Sequence, residues 1–473
     1  MAKRKQGVVL YDLVFRSARV VTPDRVILGD LGVTGERISA IGPNLGPGKE
    51  EVDATGKLLF PGFIDAHVHL GVPIRGTESV DGVTEGSRAA AFGGVTTLID
   101  FTVQDHGESL LDSFHRRIER MKGAAHVDVA LHANFTNFTE ENLAQIPDVL
   151  AAGAAGLKIF TAYREAGMQL SDRQILRVAE KVGEAGGLLM CHAENGDAAD
   201  YLAERLAAEG RRDAAAHGES RPDLLEAEAI FRVATLARIA NCPLYVVHLS
   251  SARGLETIRR LRADDWKIFA ETCPQYLLLD RSRYEGENGH RYIASPPLRD
   301  ELDGVRLLDA VLGDEIEVVA TDHCPFTTTQ KLAGDGDFLA TPNGIGGVET
   351  LLPLMFTRLL ALGENGLEPK HNARLLRLVR VLAENPARIF GLAPRKGAIK
   401  ENADADLVLY DPAPTRVVTA AEMHGGSDWD PYEGIEVRGT IDRVWLRGKR
   451  TVDGERLLGT NMDGEYLSAT PTD

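Results

Sequence analysis

The sequence predicts a TIM-like (β/α)8 barrel with a smaller β-sandwich domain built from both chain termini. Three observations lead there. Eight short apolar runs recur through the middle of the chain, each followed by a stretch rich in Ala, Leu, Glu and Arg. Both ends have a different texture, made of short β-type runs separated by turn residues. The apolar runs also finish in histidine, lysine or aspartate far more often than a simple core strand requires.

The first end carries "LVFRSARVV", "LGVTGERISAIG" and "EEVDATGKLLF", the pattern of a small antiparallel sheet. The eight runs are "LLFPGFID", "VTTLIDF", "VDVALHANF", "AGLKIFTAY", "GGLLMCHAE", "PLYVVHLSS", "WKIFAETCP" and "IEVVATDHCPF". Continuous apolar character suits parallel strands buried on both faces, and alternation with helical stretches suits β/α units. Sheet texture resumes in "GAIKENADADLVLYD" and "GTIDRVWLRGKRTVDGERLL". The expected division is residues 1–58 for the first part of the sandwich, 59–386 for the barrel and 387–473 for the second part, with an oligomerisation segment and tail. The last residues, "LSATPTD", are polar and are expected to fray.

Composition bounds the function. The chain has 473 residues, 26% of them charged, and a formal net charge of −17. That acidity disfavours nucleic acid and anionic membrane as partners. Four scattered cysteines, with no C-x-x-C pair, read as reduced thiols of a cytoplasmic protein. "MAKRKQG" is basic without an apolar signal core, and no run of about 18 apolar residues suggests a membrane span.

Position along the strands carries the chemistry. In a barrel, C-terminal strand ends converge on one mouth. His67 and His69 close the first run, Lys158 interrupts the fourth, His192 and His248 close the fifth and sixth, and Asp322 closes the eighth. Residues i and i+2 share a strand face, so His67 and His69 can bind one ion while Val68 packs outward. Any one of these histidines alone is more often hydrogen-bonded scenery, and Asp322 alone could cap a helix. Four histidines and an aspartate on four strands argue together for a metal site, and imidazole with carboxylate suits catalytic Zn²⁺. Alternation excludes Cys191 and His323, leaves Cys324 open, and gives His132 even odds of reaching the mouth.

Ten blocks in order, including "PGFIDAHVH", "GLKIFTAY", "CHAENGD", "VVHLSS", "ETCPQYL", "SPPLR", "TDHCPF" and "PNGIGGVE", resemble the dihydropyrimidinase/hydantoinase branch of the amidohydrolase superfamily. The resemblance implies two divalent metal ions per chain, zinc being expected, held by His67, His69, Lys158, His192, His248 and Asp322. It implies that Lys158 is carboxylated by CO2 (N6-carboxylysine) and bridges the ions as an anion. Asp322 and Tyr163 become the catalytic residues, and Tyr163, Ser295 and Asn343 the substrate contacts, the last two through their main chains. The implied reaction opens dihydrouracil, dihydrothymine or hydantoin rings to N-carbamoyl amino acids, as in pyrimidine catabolism, and the implied assembly is a homotetramer. Dihydroorotases are disfavoured because "HVHLG" places Gly71 where they carry arginine. Allantoinase is the alternative, and a non-catalytic oligomeric scaffold of the same fold a weaker one. In the loop "GVPIRGTESVDG", Arg75 departs from the apolar or aromatic residues of that branch. It is expected either at the pocket rim, favouring polar ring substituents, or in solvent.

Overall fold

The computed structural model describes residues 10–334, 336–361, 363, 367–458 and 462–470. The basic "MAKRKQG" start therefore lies outside the described residues, as do residues 471–473.

All eight apolar runs supply barrel strands. These are β1 (Phe63–Val68), β2 (Val95–Phe101), β3 (Asp128–Asn134), β4 (Leu157–Phe160), β5 (Leu189–His192), β6 (Leu244–Val246), β7 (Ile268–Thr272) and β8 (Val318–Val319). They pair in parallel in chain order. The seam between β8 and β1 is made by a parallel bridge between Val68 and His323, beside a His69 N–H to His323 C=O bond of 2.8 Å. Asp65 strengthens it, accepting the Thr321 N–H at 3.0 Å and the Thr321 hydroxyl at 2.5 Å.

The chain ends share a nine-stranded mixed sheet. Strands Tyr11–Val21, Val26–Thr34, Arg37–Gly42, Gly48–Asp53 and Leu58–Pro61 come from the start of the chain, and Leu407–Val417, Glu436–Leu446, Lys449–Asp453 and Arg456–Leu457 from its end. Leu58–Pro61 sits between strands of both ends, pairing with Tyr11–Val21 and Leu407–Val417. The run "LLFPGFID" thus contributes to both sheets. Gly62 makes the crossing, where a Cβ would stand 2.0 Å from Thr96 Oγ1.

Inside the barrel, Ile64, Ala66, Ile99, Phe101, Ala130, Met190, Tyr245 and Val318 form an apolar plug that continues into Phe390, Leu392, Leu467 and Ala469. The tail does not fray where it is described. Leu467 and Ala469 are buried, and their N–H groups reach Val129 C=O (2.8 Å) and Gly153 C=O (3.1 Å). Apolar side chains at alternate positions of a nominally polar tail anchor it across the barrel floor. A buried ionic joint completes the floor: Lys396 Nζ meets Asp128, Asp404 and Asp406 at 2.6, 2.8 and 2.6 Å. It links β3 to the terminal sheet, and removing one partner of such a group leaves an uncompensated buried charge.

Candidate metal centre

The mouth at the C-terminal strand ends opens into a cavity of about 740 Å³ lined by His69, Lys158, Tyr163, His192, His248, Ser295, Asp322, Cys324 and Asn343. His67 lies just beneath, fully buried.

Strict alternation would have turned His67 outward, because Ile64 and Ala66 already face the barrel interior. The β1–β2 register shifts between Asp65 and Val68, and this irregularity re-aims the strand end. His67 Nε2 then lies 3.2 Å from His69 Nε2 and 3.1 Å from Asp322 Oδ1, with His69 Nε2 3.2 Å from the same oxygen. Two donors bound tetrahedrally at 2.0–2.1 Å stand roughly 3.3 Å apart, so this spacing matches ligands of one zinc-sized ion.

Protonation strengthens the fit. Glu271, at the end of β7, is fully buried and lies 2.7 Å from His67 Nδ1. Its oxygens also accept the His248 N–H at 3.0 Å and the Tyr245 hydroxyl at 2.9 Å. Burial raises the Glu271 carboxyl to about 7, so above that pH it holds the His67 Nδ1–H and leaves the Nε2 lone pair turned toward Asp322. Burial disfavours the charged form of His67, and Asp322 is held down at about 2, against its own burial, by the positive charge that His67, His69 and Lys158 carry when protonated. With the proton on His67 Nδ1, its Nε2 and Asp322 Oδ1 are two acceptors 3.1 Å apart, a contact that a cation between them, or a proton on Nε2, makes favourable.

The second histidine pair is built alike. His192 Nδ1 stands 2.9 Å from His248 Nε2, and His192 Nε2 stands 2.9 Å from Glu194 Oε2. Glu194 is buried, which works against its charge, but Arg221 at 2.7 Å and His192 pull its pKa far down. Glu194 and Glu271 therefore fix ring orientation for their histidines, as carboxylates do behind metal-bound imidazoles. Glu194, Arg221 and Glu271 were not among the expected site residues. The signal for Glu271 was present: it interrupts the apolar run "WKIFAETCP" at a strand end.

Lys158 is buried, with Nζ 4.9 Å from the Phe101 ring centroid and 5.3 Å from that of Phe160. Burial lowers its pKa to about 8 against the pull of Asp322 and Glu271. No salt bridge reaches it among the described residues. Tyr163 stacks obliquely on His192, ring centroids 4.8 Å apart, and burial raises its pKa, so it remains a phenol donor at neutral pH. Asn343 Nδ2 lies 2.9 Å from Ser295 Oγ.

Of the two residues excluded by alternation, Cys191 packs in the outer cluster, and His323 turns away to Asp81 at 2.9 Å. His132 lies between Phe101 and Phe390, toward the floor, bonded to Ala66 C=O at 3.1 Å. Cys324 lines the cavity wall. Arg75 also lines it, but its guanidinium is turned to backbone carbonyls of Phe338 (3.1 Å), Leu339 and Thr341 (3.3 Å).

A closed parallel barrel with imidazoles, a lysine and an aspartate at one mouth defines a metal-dependent hydrolase scaffold, and residues 58–451 match the amidohydrolase family: the chain belongs to that family. It is 36% identical to a D-hydantoinase of Ralstonia pickettii over 462 residues, 96% of this chain and 98% of that one. It is 35% identical to a D-phenylhydantoinase of Escherichia coli K12, with 97% and 98% covered. The structure superposes on that of a dihydropyrimidinase from Brevibacillus agri NCHU1002 with a TM-score of 0.92 at 34% identity, covering 97% of this chain and 99% of the other. Within the family the chain falls in the hydantoinase and dihydropyrimidinase branch. No helix among the described residues is long and apolar enough to cross a membrane.

Proposed function

We propose that this protein hydrolyses the cyclic amide bond of hydantoins and 5,6-dihydropyrimidines, releasing N-carbamoyl amino acids. The observation that carries the reading is the convergence of His67 Nε2, His69 Nε2 and Asp322 Oδ1, mutually 3.1–3.2 Å apart at the edge of a ligand-sized cavity. In this reading His67, His69 and Asp322 would hold one divalent ion and His192 and His248 a second, with Lys158, once carboxylated, as a further anionic ligand. Zinc suits these donors. Such a pair would supply a water that ionises near about pH 7 and would polarise a carbonyl.

The rest of the reaction belongs to the side chains. Lys158, with its amine pKa at about 8, carries enough free base near neutrality to add CO2; the amine gains the carboxylate and releases a proton. Asp322 accepts the proton shed by the attacking water and delivers it to the departing ring nitrogen. Tyr163 donates its O–H to the ring oxygen that gains negative charge. Among the described residues no protein group takes the backbone N–H or C=O of Ser295 or Asn343, which leaves them for the amide edges of the ring.

The relatives favour hydantoin and dihydropyrimidine rings over allantoin, and a complete donor set disfavours a scaffold role. We further propose a cytoplasmic homotetramer acting on small cyclic amides, without nucleic acid or membrane partners. Arg75 straps the loop after β1 to residues 338–341 in this reading, so its charge reaches a ring substituent only weakly. Arg75→Met should change the ratio of kcat/KM for dihydrouracil and a phenyl-substituted hydantoin by less than about threefold. The reading is tested by assaying the metal-loaded protein against dihydrouracil, dihydrothymine, hydantoin, allantoin and dihydroorotate. Turnover confined to either of the last two would overturn it.

A further inference from the structure

Lys331 lies on the short helix Thr328–Leu332 that follows β8, and its side chain is completely buried. No carboxylate neutralises it among the described residues. Its Nζ donates instead to two backbone carbonyls, Ile293 at 2.7 Å and Pro342 at 2.8 Å. Burying an amine without a counter-charge is costly, so the positions of its acceptors matter. Ile293 stands two residues before Ser295, in the loop after β7. Pro342 immediately precedes Asn343, in the loop after β8.

Other bonds converge on the same segments. The Gly344 N–H also reaches Ile293 C=O at 3.1 Å, and His217 Nε2 lies 2.7 Å from Ala294 C=O. Asn343 Nδ2 joins Ser295 Oγ across the gap. The flanking groups are therefore tied down, while among the described residues no protein group takes the polar backbone groups of Ser295 and Asn343, both of which line the cavity wall. That is the arrangement expected when main-chain groups must be held at a fixed separation to receive a planar ligand edge.

We infer that Lys331 is a positioning residue: its amine clamps the loops after β7 and β8 so that Ser295 and Asn343 present their backbone groups to the ring at a set spacing. The inference rests on the function proposed above and deepens it, because it makes recognition of the ring's amide edge depend on a side chain that never touches substrate. Lys331→Met keeps the length of the chain and deletes the donors.

Steady-state kinetics of wild type and Lys331→Met are compared on dihydrouracil and on an analogue methylated at the ring nitrogen remote from the cleaved bond, with zinc content measured in parallel. The expected result is a KM for dihydrouracil raised about tenfold, the equivalent of one lost hydrogen bond, with kcat within about threefold. Zinc content should hold, and the wild type's discrimination against the methylated ring should shrink by a similar factor. A lysine that merely supports the fold would move kcat, zinc content and melting temperature together and leave that discrimination intact; this outcome overturns the inference, as does an unchanged KM. If Lys331→Met does not fold, Lys331→Gln, which keeps one N–H donor pair, carries the same comparison. Wild-type protein inactive on every ring would instead sink the proposed function, so the two failures are told apart.

Discussion

Glu271 offers the sharpest test of the metal centre, because it supports two of the proposed ligands without being one. It sits 2.7 Å from His67 Nδ1 and accepts the His248 N–H at 3.0 Å. Glu271→Gln retains the shape and one acceptor oxygen but removes the negative charge, which burial confines to pH above about 7 and which there fixes the His67 tautomer and raises its basicity. Outer partners of this kind are worth 10- to 100-fold in metal affinity, or about 1.4–2.7 kcal/mol. Tyr245→Phe provides the internal comparison: it deletes the 2.9 Å hydroxyl bond to the same carboxylate and leaves the charge. Its effect should be smaller, on the order of 1 kcal/mol or less. The assay is competition for zinc against a chromophoric chelator at fixed pH, with both variants and wild type side by side. Glu271→Gln binding zinc as tightly as wild type, or Tyr245→Phe losing as much as Glu271→Gln, would refute the reasoning.

Lys158→Ala should lose at least about 10³-fold in kcat/KM together with most bound metal, and added short-chain carboxylates should restore part of both; full activity in the untreated variant contradicts the bridge. Carboxylation should follow the free amine. With the Lys158 pKa lowered to about 8, the ¹³C carbamate signal of metal-free protein in labelled bicarbonate should grow on raising the pH through that value; no signal by about pH 9 counts against it. Arg221→Met should destabilise the fold by about 3–5 kcal/mol near pH 8, because Glu194 is left as a buried charge. The sign follows from the group. Paired with Arg221, Glu194 has a depressed pKa, so its contribution is present above the usual carboxylate range and lost on acidification. The gap in melting temperature between wild type and variant should therefore narrow as pH falls, and a constant gap would contradict the pairing.

The barrel was legible because its strands are long apolar runs buried on both faces, and the mouth residues because polar groups at the ends of such runs need a reason. The partners behind them were not. Glu271 lies 204 positions from His67, and Arg221 lies 27 from Glu194 on a different element. No local periodicity records either pairing. The irregularity in β1 was equally hidden: the i, i+2 rule correctly put His67 and His69 on one face, but only the register shift put that face into the mouth. The tail, as far as residue 470, departs from the expectation for a related reason. Two apolar residues among polar ones give little local signal, yet they find the open floor of the barrel.

Backbone conformation shows why the site needs so large a scaffold. Tyr163, His248 and Asp322 all adopt left-handed φ values, of 68°, 39° and 53°. For residues with a Cβ such geometry costs on the order of 1–3 kcal/mol each and persists only where the surroundings over-determine it. The surroundings do so here. The His248 N–H is fixed on Glu271, while Thr321 and His323 on either side of Asp322 are tied to Asp65 and Asp81. Each left-handed residue follows a barrel strand by a few positions and bends the chain sharply, turning its side chain back over the mouth. A relaxed strand end would carry these groups onward into the loops and apart from one another. Buried carboxylates outside the ligand set thus hold the ligands in place, and the barrel's apolar core provides the stability from which that strain is drawn.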